Sequence, residues 1–189
     1  LPKLAAKNLL FGVHPNDELA VYTIFGELFG RGFLPGWKIL YVSGSATYDA
    51  AMEFRYDYTD ASFYNVSAGG TSLFGPGSAV KARYPSKNQL WADAMGARKF
   101  LVVECKVAAE DLLTEIQSRR SIKDINQIDV LICMTFDSGR VKNLNGAIHK
   151  VTPAARELSG VTHMLQFGAR AVQVVCLHDL VAELASAGH

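Results

Sequence analysis

Residues 99–136 read KFLVVECKVAAEDLLTEIQSRRSIKDINQIDVLICMTF, and the order of patterns within them decides the fold. KFLVVECKV over 99–107 is a short apolar run rich in β-branched residues, which predicts a strand. AAEDLLTEIQSRR over 108–120 places its apolar residues at helical spacing for about three turns. QIDVLICMTF over 127–136 is again apolar and strand-like. A strand, a crossover helix and a second strand form the unit that builds a parallel pair, so the chain is expected to be an α/β protein with a central mixed β-sheet flanked by α-helices. Side chains alternate across a strand, so Glu104 and Lys106 share one face of the first strand while Val103, Cys105 and Val107 take the other. Two charges inside an apolar strand are costly unless paired, solvated or bound to a metal, which makes them a candidate site.

Upstream, residues 16–31 (NDELAVYTIFGELFGR) predict an amphipathic helix: Asn16 is the N-cap, Asp17 and Glu18 lie in the first turn, and Val21, Ile24, Phe25 and Leu28 line one side. Two adjacent strands follow, KILYVSG over 38–44 and TYDAAMEFRYDY over 47–58. Asp49 starts the second of them, where it would project beside Glu104 if that strand neighbours the Glu104 strand. Two such carboxylates suit a hard cation, Mg²⁺ or Mn²⁺, which takes oxygen ligands and retains waters. Lys106 would then orient the attacking water or stabilise negative charge at phosphorus. Residues 59–90 carry Gly69, Gly70, Gly75, Gly77, Pro76 and Pro85 without a periodic run, and read as a long loop or insertion. Downstream, a short helix is expected at PAAREL, strands at HMLQF and ARAVQVVCL, and a short helix at the end.

An acid on the first helix, an acid at a strand start, Glu-Xaa-Lys on the next strand, and then a helix and a strand resemble the restriction-endonuclease-like, PD-(D/E)XK nuclease superfamily. The resemblance covers residues 16–135. It implies a restriction-endonuclease-like fold and a metal-dependent endonuclease that hydrolyses phosphodiester bonds in DNA. Asp49 then stands for the motif's aspartate, and Glu104 and Lys106 stand for its Glu-Xaa-Lys. Asp49 and Glu104 are the implied metal ligands, Lys106 assists the attacking water, and Glu18 is the helix acid. Tyr48 stands where the motif has proline, and 55 positions separate Asp49 from Glu104, more than a hairpin needs. Glu18 and Glu27 lie on opposite sides of the first helix, so only one of them can reach the site. A second reading is an inactive nuclease-like domain that binds DNA or a partner for an attached ATPase or other module; residues 16–50 also resemble regions downstream of GHKL-type ATPase modules.

Other patterns fit ordinary structural roles. Glu53-Phe54-Arg55 reads as a cross-strand surface pair, Gln117 as a solvated helix residue able to contact a phosphate, and AGGTSLFGPG as a flexible loop without a Walker ending. The histidines are scattered, and no Cys-Xaa-Xaa-Cys pair or serine-hydrolase elbow occurs. Cys105, Cys133 and Cys176 each sit in an apolar run, which predicts buried thiols and a reducing, cytoplasmic compartment. No apolar run reaches the roughly 18 residues of a membrane span.

The chain of 189 residues is 49% hydrophobic and carries 19 basic against 18 acidic residues, enough apolar content for one cored domain and no excess of charge for a nucleic-acid coat. Charge is nonetheless uneven. Residues 78–99 carry Lys81, Arg83, Lys87, Arg98 and Lys99 against Asp93, and residues 138–150 carry Arg140, Lys142 and Lys150 without an acid. Both stretches read as loops, with Lys81, Arg83, Lys87, Arg140 and Lys142 as phosphate contacts on DNA. The expected organisation is a single nuclease-like domain, 1–189, cut from a longer chain that begins before Leu1. Further domains or a second copy are the other partners expected.

Overall fold

The computed structural model describes residues 18–42, 47–55, 98–118 and 121–186. Among these residues seven strands form one mixed sheet: β1 (Trp37–Val42), β2 (Ala50–Arg55), β3 (Arg98–Ala108), β4 (Val130–Thr135), β5 (Gly146–Lys150), β6 (His163–Phe167) and β7 (Arg170–Cys176). Their order across the sheet is β1-β2-β3-β4-β7-β6-β5. β3, β4 and β7 are parallel in the centre, and the remaining neighbours are antiparallel. Among the described residues four helices flank the sheet: α1 (Glu18–Gly30), α2 (Ala109–Gln117), α3 (Ser138–Asn143) and α4 (Leu177–Ser186).

Strand β4 shows why its sequence lacks a polar face. Val130, Ile132 and Met134 pack into one apolar cluster with Val21, Ile24, Phe25 and Leu28 of α1 and Leu180 and Val181 of α4. Leu131 and Cys133 point the other way, into a second cluster with Leu112 and Leu113 of α2 and Val141 of α3. A central parallel strand covered by helices on both faces reads as a near-continuous apolar run, here Val130 to Met134. Phe25, Trp37 and Phe54 pack edge to face around β1 and β2, with ring centroids 5.7 and 5.5 Å apart. The Trp37 indole N–H donates to the Ser159 carbonyl at 2.8 Å, so this large ring is buried without an orphaned donor.

Chain turns fix where β2 runs. Gly36 has φ +91°, and a Cβ there would lie 2.9 Å from the Arg55 carbonyl oxygen, so only glycine fits where β1 starts against the end of β2. At the other end of the parallel strands, the Asp129 carboxylate accepts from the Val102 N–H at 2.9 Å and pairs with Arg170 at 3.1 Å, tying the entry of β4 to β3 and β7.

Two sequence readings need correction. Residues 138–150 are not a loop: they contain α3 and β5. The Asp137 carboxylate caps α3 by accepting from the Gly139 and Arg140 N–H groups, and β5 pairs with β6 at the sheet edge, where alternation of apolar residues is too brief to register. PAAREL forms only a three-residue 3₁₀ turn, Pro153–Ala155. The insertion expected at 59–90, and with it Lys81, Arg83 and Lys87, lies outside the described residues, as does the N-cap at Asn16. Among the described residues, no helix is long and apolar enough to cross a membrane, and the three cysteines are buried and unbridged.

Candidate active site

β2 and β3 are antiparallel neighbours, with Ala50 opposite Val103, and one further step sets Asp49 opposite Glu104. Backbone pairing gives way at that step to a side chain: the Asp49 carboxylate accepts from the Cys105 N–H at 2.8 Å. The sheet register thus brings together two acids that the sequence places far apart.

Lys106 lies two positions further along β3, on the Glu104 face. Its Nζ donates to Glu18 of α1 at 2.5 Å and pairs with Glu104 at 3.0 Å and Glu115 at 3.2 Å. Glu18 is the helix acid that reaches the site; Glu27 is paired with Arg31 one turn on. Two further residues belong to the cluster. Lys123, from the segment between α2 and β4, donates to Glu104 Oε1 and pairs with Glu115 at 3.1 Å. Three carboxylates and two ammonium groups therefore meet, and with Asp49 across from Glu104 the formal surplus is two negative charges.

Burial is steep across the cluster. Glu104 is fully buried and the Lys106 side chain nearly so, whereas the side chains of Glu18 and Glu115 are 44% and 36% exposed. Burial pushes the Glu104 carboxyl above the usual range; the Lys123 hydrogen bond pulls it back, and the Asp49 charge adds to the push. Burial opposes charge on Lys106, but the Glu18 hydrogen bond and the nearby Glu104 carboxylate outweigh it and hold the ammonium well above its ordinary pKa. Lys106 is therefore a fixed cation and hydrogen-bond donor, not a proton acceptor. Glu115 is held below the usual carboxylate range, its partial burial outweighed by Lys123 and Lys106.

The residues present fit a hard divalent cation. Both lysines engage Glu104 Oε1, and Oε2 of the same carboxylate is buried with no hydrogen-bond partner among the described residues. A buried carboxyl oxygen without a partner is costly, and a cation beside Asp49 would satisfy it. Among the described residues no group of three or more His, Cys, Asp or Glu forms a ready-made metal cage. Mg²⁺ commonly takes only one or two carboxylates and keeps its waters, so Asp49 and Glu104 suffice as a donor set.

Other residues singled out in the sequence have structural roles. The Gln117 amide donates to the Leu144 carbonyl at 2.6 Å, joining α2 to the turn before β5. Glu53 is buried rather than on the surface, opposite Lys38 and Phe100 in the register. The Cys105 thiol is buried, and burial pushes its pKa up, which keeps it protonated and inert. Arg140 is exposed on α3 and pairs with Glu110 at 3.3 Å; Lys142 is exposed nearby. Neither Lys123 nor Glu115 stands out in the sequence. Glu115 has the helical spacing of a solvated residue, and Lys123 lies in a segment without periodicity; only their common approach to Glu104 marks them.

No protein-family model, no curated protein and no solved structure matches the chain.

Proposed function

We propose that the chain is a metal-dependent nuclease that hydrolyses phosphodiester bonds in DNA, with a restriction-endonuclease-like core of α1, β1 to β4 and α2. The observation that carries this reading is that Asp49 stands across from Glu104, one step beyond the last pair of two antiparallel strands, with Lys106 two residues further along the Glu104 face and Glu104 Oε2 unpartnered among the described residues. Asp49 and Glu104 would hold one Mg²⁺ or Mn²⁺. Bound there, the cation would supply Lewis-acid polarisation of the phosphoryl group and a more acidic water.

The chain's own residues would do the rest. Lys106, held charged, donates a hydrogen bond to the incoming water or to a non-bridging phosphate oxygen, and so orients attack and offsets the charge that builds on phosphorus. Glu18 keeps the ammonium at the open side of the cluster. Water oxygen bonds to phosphorus, the bond to one ester oxygen breaks, and the departing oxygen takes a proton from solvent, so the products are a phosphomonoester and a hydroxyl. The proton lost by the water goes to solvent, since Lys106 has no vacancy for it. Exposed Arg140 and Lys142 would touch backbone phosphates.

The experiment is cleavage of labelled duplex and single-stranded DNA with Mg²⁺, Mn²⁺ or EDTA. Wild type should cut only with metal, and Glu104→Ala and Lys106→Met should not cut while melting cooperatively. DNA binding without cutting under every metal condition would favour a nuclease-like binding domain instead. Equal cutting by wild type and both variants would end the assignment.

A further inference from the structure

We infer that Lys123 is a positioning residue for the cation proposed above: by holding Glu104 Oε1, it presents Oε2 of the same carboxylate to the metal. The inference rests on that reading of the site and adds a residue to it.

Three observations carry it. The first is the asymmetry of the Glu104 carboxylate. Both ammonium groups lie on Oε1, while Oε2 is buried and without a partner among the described residues. Two donors on one oxygen favour the rotation of the carboxylate that keeps Oε1 toward them and turns Oε2 away.

The second is the division of work between the two lysines. Lys106 is shared among Glu18, Glu104 and Glu115, and it is the donor that must turn to water or phosphate during the reaction. As it turns, Glu104 Oε1 loses one of its two partners. Lys123 remains, held from its other side by Glu115 at 3.1 Å. The Lys123 side chain is only 11% exposed, so its contact with Glu104 is little screened by solvent.

The third is how the Lys123 segment is anchored. The Lys123 N–H donates to the Ser121 hydroxyl at 3.1 Å. The next residue, Asp124, caps a 3₁₀ turn and donates its N–H to the Tyr48 hydroxyl at 3.3 Å, and that hydroxyl donates to Gln127 at 3.1 Å. Tyr48 is the neighbour of Asp49. The strand end that carries one acid and the segment that orients the other are therefore tied together. The opposing effect is repulsion between Lys123 and the metal. Groups that orient a ligand from behind usually contribute about 10- to 100-fold to metal affinity, and the fixed carboxylate is expected to prevail.

The test is calorimetric titration of the full chain with Mn²⁺, using wild type, Glu104→Gln, Lys123→Met, Lys123→Arg and Glu115→Gln, each checked by thermal melting. Wild type should bind, Glu104→Gln should not, Lys123→Met should bind about tenfold or more weakly, and Lys123→Arg should recover most of the loss. DNA cleavage by Lys123→Met should return at saturating Mn²⁺, a shift in metal requirement rather than in turnover. Wild-type affinity in Lys123→Met overturns the inference and leaves the proposed site standing. No binding by wild type, or undiminished binding by Glu104→Gln, overturns both. If Lys123→Met fails to fold, Glu115→Gln decides: severalfold weaker binding supports the role of Lys123, and unchanged binding overturns it.

Discussion

The Cys105 N–H donates to the Asp49 carboxylate at 2.8 Å, one residue beyond the last paired position of β2. This bond holds the acid at the strand end where it faces Glu104. The residue before it is tied as well: the Tyr48 hydroxyl donates to Gln127 at 3.1 Å and accepts from the Asp124 N–H at 3.3 Å.

Tyr48→Phe is accordingly expected to affect the site more than the fold. The lost hydroxyl bonds are near the surface and should cost about 1 kcal/mol in urea unfolding. Mn²⁺ affinity measured by calorimetry should fall severalfold, because Asp49 and the Lys123 segment lose their common anchor. A change in stability with no change in affinity would show that the anchor serves only the fold.

The exposed cations of α3 yield a second prediction. Arg140 and Lys142 project from a short helix capped by Asp137, and the Glu110 carboxylate is the one acid paired with Arg140 among the described residues. If both cations touch phosphates, the Arg140→Ala/Lys142→Ala protein should bind DNA more weakly, and the slope of log affinity against log salt should shrink by about 0.9 for each phosphate no longer neutralised. Anisotropy titrations at several NaCl concentrations measure it. An unchanged slope would place DNA elsewhere on the surface.

His163 gives the pH dependence. It lies in β6, buried against Phe136 with ring centroids 4.7 Å apart, and its Nδ1 is 3.0 Å from the Thr162 hydroxyl. Burial pushes its pKa below the ordinary histidine value; Asp179 opposes this and Lys150 adds to it. The folded state thus takes up a proton less readily than the unfolded chain. Stability from this group is complete above the unfolded value of about 6.5 and is lost as pH falls toward the lower folded value. Urea midpoints between pH 7.5 and 5 should decline in wild type, and the decline should be shallower in His163→Gln. Equal slopes would exclude His163 as the source.

Phe54 tests how far the site depends on the core beneath it. The ring is buried in β2 against Trp37, on the strand that Asp49 immediately precedes. Phe54→Ala should cost about 3–5 kcal/mol in denaturant unfolding. A cost under about 1 kcal/mol would mean that the aromatic cluster contributes little to holding β2.

The central layers are legible in the sequence because their patterns are long and repeated. Residues 99–136 announce β3, α2 and β4, and alternation sets Glu104 and Lys106 on one face whatever the rest of the chain does. Val21, Ile24, Phe25 and Leu28 announce α1 for the same reason, and all four are buried. The sheet edge is not legible: β5 has five residues, and α3 owes its start to the Asp137 cap rather than to an apolar stripe. Within the site, strand neighbours follow from the order of elements, so Asp49 beside Glu104 is within reach of the sequence. Lys123 and Glu115 are not, since long side chains that converge from a helix and an irregular segment leave no spacing to read. Nor is the inequality of the two Glu104 oxygens, which depends on where two ammonium groups come to rest.

The most direct test is a crystal of the chain soaked with Mn²⁺ and measured for anomalous scattering. The account predicts one strong peak within about 2.2 Å of Glu104 Oε2 and of an Asp49 carboxylate oxygen, near the Mg²⁺-like bond length expected for a hard cation, with Lys123 still on Oε1. Absence of a peak there at saturating Mn²⁺, with both lysines still on Glu104, would contradict it.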